Sequence, residues 1–164
     1  MPIQLITKQG ENLLQSKETP WTVYPRPQMR RNSYVNLNGR WELTVKEEKQ
    51  DILVPFCPES LLSGVQKHFP EGSYLVYRRK FTLPEDFNRG RVLLHIGAAD
   101  QTTACFVNGG YVCEPYTGYT GTTIDITAFL RPGENELTLT CHDDLNDQRI
   151  PYGKQVIPQK RGGM

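Results

Sequence analysis

Three aspartates stand close together in residues 142–147, and their spacing is the first feature of this sequence that suggests chemistry. Asp143, Asp144 and Asp147 follow a run of alternating apolar residues, so they come directly after the end of a predicted strand. Carboxylates in that position can bind a sugar hydroxyl or a cation, with Asn146 as an amide neighbour. The same residues also form turns readily, because Asp and Asn side chains hydrogen-bond to nearby backbone. We favour the turn and keep the binding site as the alternative.

A loop rich in tyrosine, threonine and glycine covers residues 114–121, with the sequence EPYTGYTG. Tyr116 and Tyr119 stand there among small polar residues. A flat aromatic ring next to hydroxyl and amide groups suits the apolar face and the polar rim of a sugar. The tyrosines could instead pin a long loop onto the body of the domain, and composition alone slightly favours this second interpretation.

Sequence motifs of well-known catalytic sites are missing from the chain. It contains no GxSxG, no GxxxxGK(S/T) and no HExxH, so it predicts no nucleophile elbow, phosphate loop or zinc protease site. Ser60 and Ser63 have no histidine at a telling spacing. His142 falls on the outward face of its predicted strand, where we expect a surface histidine.

The cysteines form no CxxC pair and make no ligand spacing with the histidines, so we expect no metal site among Cys57, Cys105, Cys113 and Cys141. Cys105 and Cys113 flank a predicted turn at residues 108–109. A two-residue turn would pair Cys105 with Val112, whereas a three-residue loop would bring it opposite Cys113. A disulfide depends on this register, and we favour four reduced thiols.

The elements that position these residues are predicted to be strands, because apolar and polar residues alternate with period two along most of the chain. The Asn-Gly pair at 108–109 is the strongest short-range hairpin signal. A helix of one or two turns is expected in residues 58–65, ending at Gly64. Short strands without intervening helices predict an all-β fold, an antiparallel β-sandwich or barrel. The predicted strands are residues 36–45, 51–55, 74–84, 91–97, 102–107, 122–127 and 134–144.

Composition and charge argue against several classes of partner. The 164 residues are enough for one domain with a core, and 37% hydrophobic with 23% charged residues is typical of a globular protein. The formal net charge is +1, so we expect no bulk attraction to nucleic acid or to an anionic membrane. The N-terminus lacks the pattern of a signal peptide. We expect a cytoplasmic protein, and a periplasmic or secreted location stays open if a signal was removed.

Six stretches of the chain share their motifs and their order with one domain family. They are LNGRWELTV (37–45), ILVPFCPES (52–60), YLVYRRKFTLP (74–84), RVLLHIGAADQTTACFVNGGYV (91–112), GYTGTTIDITAFLRPGENELTLTC (118–141) and RIPYGKQ (149–155). Together they resemble the N-terminal sugar-binding domain of glycoside hydrolase family 2, the family of β-galactosidases, β-glucuronidases and β-mannosidases. Each motif is weak alone, and their common order over residues 24–160 carries the resemblance. It implies a jelly roll, which is a galactose-binding-domain-like β-sandwich.

The resemblance also implies a division of labour. In that family the two catalytic glutamates sit in a downstream (β/α)8 barrel of about 250 residues, so no residue of this chain is expected to be catalytic. We expect residues 1–23 to be an N-terminal extension. Residues 24–164 would be the sugar-binding domain, ending before its last strand. By loop position only, the candidates for substrate binding are Glu59, Tyr116, Tyr119, Asp143, Asp144 and Asn146.

Three functions are compatible with these features. The first is a non-catalytic domain that packs on the catalytic barrel of its parent chain and shapes the sugar pocket of a retaining β-glycosidase. The alternative is a self-sufficient carbohydrate-binding module that uses the Tyr116/Tyr119 loop, and the third is an immunoglobulin-like interaction domain. Carbohydrate and the barrel are the expected partners, together with self-association through an uncovered strand edge or apolar surface. We expect no cofactor and no nucleic-acid or membrane partner.

Overall fold

Eight β-strands and one α-helix are the main elements of the computed structural model, which describes residues 7–16, 18–24, 27–29, 31–70, 72–114, 118–144, 147 and 149. The helix, α1, is Lys8–Gln15. The strands are β1 (Gly39–Val45), β2 (Glu48–Val54), β3 (Tyr74–Thr82), β4 (Leu93–Ile96), β5 (Thr102–Val107), β6 (Gly110–Cys113), β7 (Thr122–Asp125) and β8 (Glu134–His142). Within the described part of the chain, no helix combines the length and the apolar character that a membrane crossing needs.

Two antiparallel sheets form the layers of a β-sandwich in the described residues. The large sheet has six strands in the order β2-β1-β3-β8-β5-β6, and the small sheet pairs β4 with β7. β8 lies inside the large sheet, with β3 on one side and β5 on the other. The predicted antiparallel β-sandwich is therefore confirmed.

The core is built by alternate residues on the inner faces of the strands. Along β1, Trp41, Leu43 and Val45 are buried, and the residues between them are more exposed. Opposite residues of neighbouring antiparallel strands share a face, which places Trp41 beside Ile52 and Leu43 beside Tyr77. One buried cluster joins both sheets, and its members are Trp41, Leu43, Val45, Ile52, Phe81, Val92, Leu94, Cys105, Val107, Ile124, Ile126 and Leu137.

The helix α1 and the start of β2 depart from the sequence prediction. α1 was not predicted, and its start is fixed by Thr7, whose hydroxyl accepts a hydrogen bond from the Gly10 N–H at 3.1 Å. β2 begins at Glu48, earlier than predicted, because polar residues at its start pair with β1 across a tight turn. The expected short helix is a 3-10 turn, Leu61–Ser63, which ends as predicted at Gly64.

The Asn-Gly hairpin forms as predicted, and a bulge changes the register beyond it. The two turn residues at 108–109 take positive φ angles of 52° and 80°, as a two-residue Asn-Gly turn requires. The register then shifts, so that Cys105 stands opposite Cys113 rather than Val112. From alternation alone, we expected that a three-residue loop would be needed to bring Cys105 opposite Cys113. That prediction is wrong. A β-bulge adds one residue to β6 and has the same effect.

Two asparagine side chains fix this hairpin to β8. Asn108 Nδ2 donates to Asn135 Oδ1 and to the Phe129 carbonyl, both at 2.8 Å, and Asn108 Oδ1 accepts from the Glu136 N–H at 2.9 Å. Asn135 is 1% exposed. Its Oδ1 also accepts from the Arg131 N–H at 2.9 Å, and its Nδ2 donates to two carbonyls of the same loop at 3.0 Å. The loop before β8 and the tip of the hairpin are thus held by one polar cluster.

A second polar cluster joins the start of β4 to the end of β7. Asp125 Oδ1 accepts from the Thr127 hydroxyl at 2.5 Å and from the Thr127 N–H at 3.0 Å, while Oδ2 accepts from Arg91 Nε at 2.7 Å. The Thr127 hydroxyl in turn accepts from the Val92 N–H at 2.8 Å. The hydrogen bonds from Thr127, and then that from Arg91, lower the pKa of Asp125 from 3.8 to about 2.

Replacing Asn135 by Asp is expected to destabilise the domain by about 2–4 kcal/mol, because a carboxylate cannot donate to the two carbonyls and places a charge in a buried site. Urea unfolding followed by circular dichroism measures the change in the free energy of unfolding. The matched control is Asn88→Asp, since exposed Asn88 only accepts a hydrogen bond, from the Gly90 N–H, that a carboxylate can also accept. Equal unfolding midpoints for the two variants would contradict the role given to Asn135.

Replacing Asp125 by Asn is expected to lower the melting temperature at neutral pH, with an effect that shrinks in acid. The pKa of Asp125 is depressed in the folded state, so the stability that its carboxylate contributes is present above the unfolded-state pKa of about 3.9. That contribution is lost as the pH falls towards about 2. Thermal melts of both proteins across this pH range measure the gap. Exposed Glu85, changed to Gln, is the control. A gap for Asp125→Asn that stays constant down to about pH 2 would rule out the carboxylate as its source.

Candidate functional site

Loop segments meet at the end of the large sheet where β8 finishes and β5 begins, which we call the β8 end. Gln101 lies just before β5 and is 3% exposed. Its N–H donates to the His142 carbonyl at 3.3 Å, and its Oε1 accepts from the Asp144 N–H at 3.2 Å. On the other side of β8, the Gly72 N–H donates to the Asp143 carbonyl at 3.3 Å. These bonds hold the backbone of the first two predicted aspartates.

The tyrosine loop reaches the same end of the sheet through Gly118. This glycine lies so close to the Asp100 side chain that a Cβ at position 118 would collide with it. A residue without a side chain is what allows such an approach. The contact ties the loop to the residue before Gln101, and the next loop residue, Tyr119, is 59% exposed.

A half-buried tyrosine, Tyr77, lies on the inner face of β3. Tyr77 stands opposite Leu43 on one side and Leu139 on the other. Burial is the main cause that raises its pKa, and negative charge on Cys141 or Glu59 raises it further. The phenol therefore stays neutral, so it can donate one hydrogen bond and accept others.

Glu59 comes from the loop after β2 and lies near enough to Tyr77 to influence the pKa of the phenol. Its Oε1 is 3.6 Å from His68 Nδ1, and the side chain is 28% exposed. Its Oε2 is buried and has no hydrogen-bond partner in the described structure. A buried carboxylate oxygen without a donor is costly. Glu59 is therefore a candidate acceptor for a hydroxyl or N–H group from outside the described chain.

Cys141 links this phenol to strand β5. The Thr103 hydroxyl donates to Cys141 Sγ at 3.5 Å. Burial raises the pKa of Cys141 to about 11, while the Thr103 hydrogen bond acts in the opposite direction and Asp100 raises it. The thiol is therefore protonated at neutral pH, which argues for packing rather than nucleophilic chemistry.

The residues of the β8 end suit a ligand with many hydroxyl groups. Ionised carboxylates accept several hydrogen bonds, and the exposed ring of Tyr119 offers an apolar face to a sugar. Among the described residues, no group of three or more His, Cys, Asp or Glu side chains is placed to hold a metal ion. What the arrangement supports chemically is hydrogen bonding to hydroxyls.

Three predicted binding residues belong to the segments that meet at the β8 end, namely Tyr119, Asp143 and Asp144. Glu59 lies on the loop after β2, near Tyr77. Tyr116 and Asn146 lie outside the described residues. The Asp144 carbonyl accepts from the Asp147 N–H at 3.1 Å, which is the bond of a tight turn. The Asp147 carboxylate pairs with Arg149 at 2.8 Å. The binding roles of these side chains stay predictions.

Three residues of the site were not singled out from the sequence: Tyr77, Gln101 and His68. Period-two alternation does place Tyr77 on the inner face of β3. A tyrosine hydroxyl among leucines on that face is a sequence signal that could have identified this residue. Gln101 carries no comparable signal, because its partners come from β8, far along the chain. His142 was expected at the surface but is half-buried with a buried Nδ1, because its ring stacks on Tyr74 with centroids 4.4 Å apart.

Two surface cavities lie away from the β8 end. The larger, of about 520 Å³, is at the opposite end of the large sheet, between the loop after β3 and the loop before β8. The smaller, of about 100 Å³, lies between α1 and strands β1 and β2. Neither is lined by a predicted binding residue. The buried amide in the larger one, that of Asn135, already uses both polar atoms within the fold, so we give this cavity no ligand.

Comparison with known families identifies the domain. Residues 64–150 match the family described as glycosyl hydrolases family 2, sugar binding domain, and this stretch is more than half of the 164-residue chain. The matched residues include β3 to β8 and the loops of the β8 end, but not the loop that carries Glu59.

Individual relatives are glycosidases much longer than this chain. A β-glucuronidase of Paenibacillus borealis is 33% identical over 79 residues, which are 48% of this chain and 13% of that protein. A Faecalibacterium prausnitzii β-glucuronidase structure matches with a TM-score of 0.57 at 26% identity, over 73% of this chain and 22% of that one. The β-D-mannosidase of Dictyoglomus thermophilum shows the same fold, with a TM-score of 0.58 at 20% identity, over 66% of this chain and 15% of that one. The chain thus spans less than a quarter of each.

Proposed function

This chain belongs to the glycosyl hydrolases family 2, sugar binding domain, and from that premise we propose that it is the non-catalytic N-terminal β-sandwich domain of a longer glycoside hydrolase. One observation carries the proposal: the family match takes in most of the sandwich, yet the chain spans 13% of the curated β-glucuronidase. Residues 24–164 would form this domain and residues 1–23 an extension before it.

The parent enzyme would hydrolyse O-glycosidic bonds in carbohydrate metabolism, in the manner of a β-glucuronidase or β-galactosidase. The names of the relatives, which are β-glucuronidases and a β-mannosidase, support this class of reaction. Retaining hydrolysis needs two carboxyl groups about 5–5.5 Å apart, one as acid and base and one as nucleophile. The family resemblance assigns both to the barrel, and we assign neither to this chain.

The domain itself would pack on the barrel and shape the rim of the sugar pocket. Glu59 supports this role, because it has a buried oxygen without a hydrogen-bond donor in the described structure. Asp143 and Asp144 lie at the β8 end, where backbone bonds to Gly72 and Gln101 hold them. A hydroxyl group of a substrate, or an N–H of the barrel, is the kind of donor that the Glu59 oxygen lacks.

A second candidate function is a carbohydrate-binding module that works without the barrel. The observation that favours it is the exposure of Tyr119, at 59%, on a loop fixed by the contact of Gly118 with Asp100. An aromatic side chain on a pre-organised backbone loses little entropy when it binds a sugar ring. Tyr116, on the same loop, would belong to this platform.

We expect the isolated chain to release no nitrophenol from nitrophenyl β-galactoside, β-glucuronide or β-mannoside, because the catalytic carboxylates are assigned to the barrel. Amide proton–nitrogen spectra with and without millimolar galactose, glucuronic acid or mannose then separate the two candidates. A dispersed spectrum whose peaks move with none of the sugars supports the first candidate, a domain that acts only together with the barrel. Peaks of residues 118–123 or 143–147 that move with one sugar support the module.

Matched variants make these readings specific. Tyr119→Ala should abolish any sugar-dependent shift, whereas Tyr111→Ala should leave it unchanged, since Tyr111 is similarly exposed, at 55%, but lies on β6. Equal effects of both variants would argue against the tyrosine loop as the platform. Hydrolysis that persists through repurification would overturn the non-catalytic proposal.

We also propose that the isolated chain self-associates. β2 and β6 are the outer strands of the large sheet in the described residues, and outer strands can pair with another chain. Trp21, Val23 and Met29 expose 67%, 79% and 55% of their surfaces on the segment before β1. Sedimentation velocity at rising concentration should show species heavier than one chain, and Trp21→Ser should reduce them. The mass of a single chain at every concentration would contradict this.

A further inference from the structure

Cys105 and Cys113 face each other across the β5–β6 hairpin. The register places them as direct partners, one step beyond the bulge. Directly opposite residues in antiparallel strands have Cα atoms about 4.5–5.5 Å apart. Disulfides need Cα atoms about 4.4–6.8 Å apart. The register of the hairpin therefore supplies the backbone spacing of a disulfide.

The two side chains also lie near each other. The two thiols lie close enough to influence each other's pKa. Cys105 is fully buried in the core, whereas Cys113 is half-buried on β6, the outer strand of the described large sheet. Cys113 is therefore the thiol that a small molecule can approach from the outer edge of the described sheet, whereas Cys105 is not accessible to solvent.

The hairpin holds this pair in a fixed relation. Its tip is tied to β8 by the Asn108 side chain, as described above. On the other face, the rings of Phe106 and Tyr111 pack edge to face with centroids 5.6 Å apart. Both contacts oppose a slip of β6 along β5, which would separate the sulfurs. The pair is thus pre-organised rather than brought together by chance motion.

We propose that Cys105 and Cys113 form a redox modification site, which a small-molecule disulfide converts into a cross-strand disulfide. The Cys113 thiolate attacks one sulfur of the small disulfide, whose S–S bond breaks and releases one thiolate. Cys105 then loses its proton to solvent and attacks the Cys113 sulfur, and the second small thiolate leaves. Two protein thiols are oxidised by two electrons, and the small disulfide is reduced to two thiols.

Cys57 and Cys141 provide the internal comparison. Both lie near Tyr77 and influence its pKa. Cys57 lies in the loop after β2, and the strand partners of Cys141 are Leu75 and Thr103. Cys141 also accepts a hydrogen bond from Thr103. Cys57 and Cys141 are present in the same sample as Cys105 and Cys113. Their state therefore shows whether oxidation requires cysteines that face each other across strands or occurs at any thiol.

The reaction should be slow at neutral pH and faster in alkali. Burial raises the pKa of Cys105 to about 12 and also raises the pKa of Cys113. Only the thiolate attacks, so below these pKa values each pH unit should raise the rate of disulfide formation by about tenfold.

The test uses the full chain, reduced, freed of reductant and incubated with oxidised glutathione at alkaline pH. After acid quench and alkylation, chymotrypsin cuts behind Phe106 and Tyr111 and leaves the two cysteines on separate peptides. We expect a linked Cys105–Cys113 peptide that dithiothreitol separates, with Cys57 and Cys141 alkylated. The melting temperature should rise by about 5 °C, because the crosslink restricts the unfolded chain.

Two variants decide the outcome. Cys57→Ser should form the linked peptide and show the same rise in melting temperature. Cys113→Ser, at a half-buried position, should fold and show neither. The proposal is overturned if all four cysteines remain alkylated. It is equally overturned if glutathione stays on Cys113 without a Cys105 link, or if Cys57 and Cys141 join instead.

Discussion

The hydrogen bond between Asn108 and Asn135 is the interaction on which the rest of the sandwich depends. It joins the tip of the β5–β6 hairpin to the beginning of β8, where Asn135 is 1% exposed and water cannot substitute for its lost partner. Once the tip is fixed, the pairing of β5 with β8 follows residue by residue. At the far end of the same two strands, this register sets Thr103 against Cys141 and Gln101 beside His142. The geometry of the β8 end therefore depends on the register that is fixed at the opposite end of the sheet.

Much of the fold could be predicted because the signals are local. Alternation along β1 gave the buried set Trp41, Leu43 and Val45, and the Asn-Gly pair gave the hairpin. The bulge in β6 could not be predicted, since no residue type requires it and a single extra residue leaves the alternation almost intact. The helix α1 was not predicted for a similar reason, because its start is fixed by a single side-chain cap, the Thr7 hydroxyl.

The candidate site was harder to predict because its contacts join residues far apart in sequence. Glu59, Tyr119, Asp143 and Asp144 stand out as polar residues in loops, which is a local signal. Gln101 and Tyr77 act through partners on other strands, and only the sheet order β3-β8-β5 brings these partners together. A sequence shows which loops are polar, but a polar group that is buried by a distant strand looks like any other residue.

The position of β8 has a consequence for how the protein is made. β8 lies between β3 and β5, and the described strands β2-β1-β3 and β5-β6 make no ladder with each other without it. During synthesis the ribosome must therefore release residues up to 142 before the large sheet can close. Until then the nascent chain carries two half-sheets with open edges, which are sites for chaperones and for mispairing with neighbouring chains. Among the described strands, β8 is made last, and its pairing joins the two half-sheets.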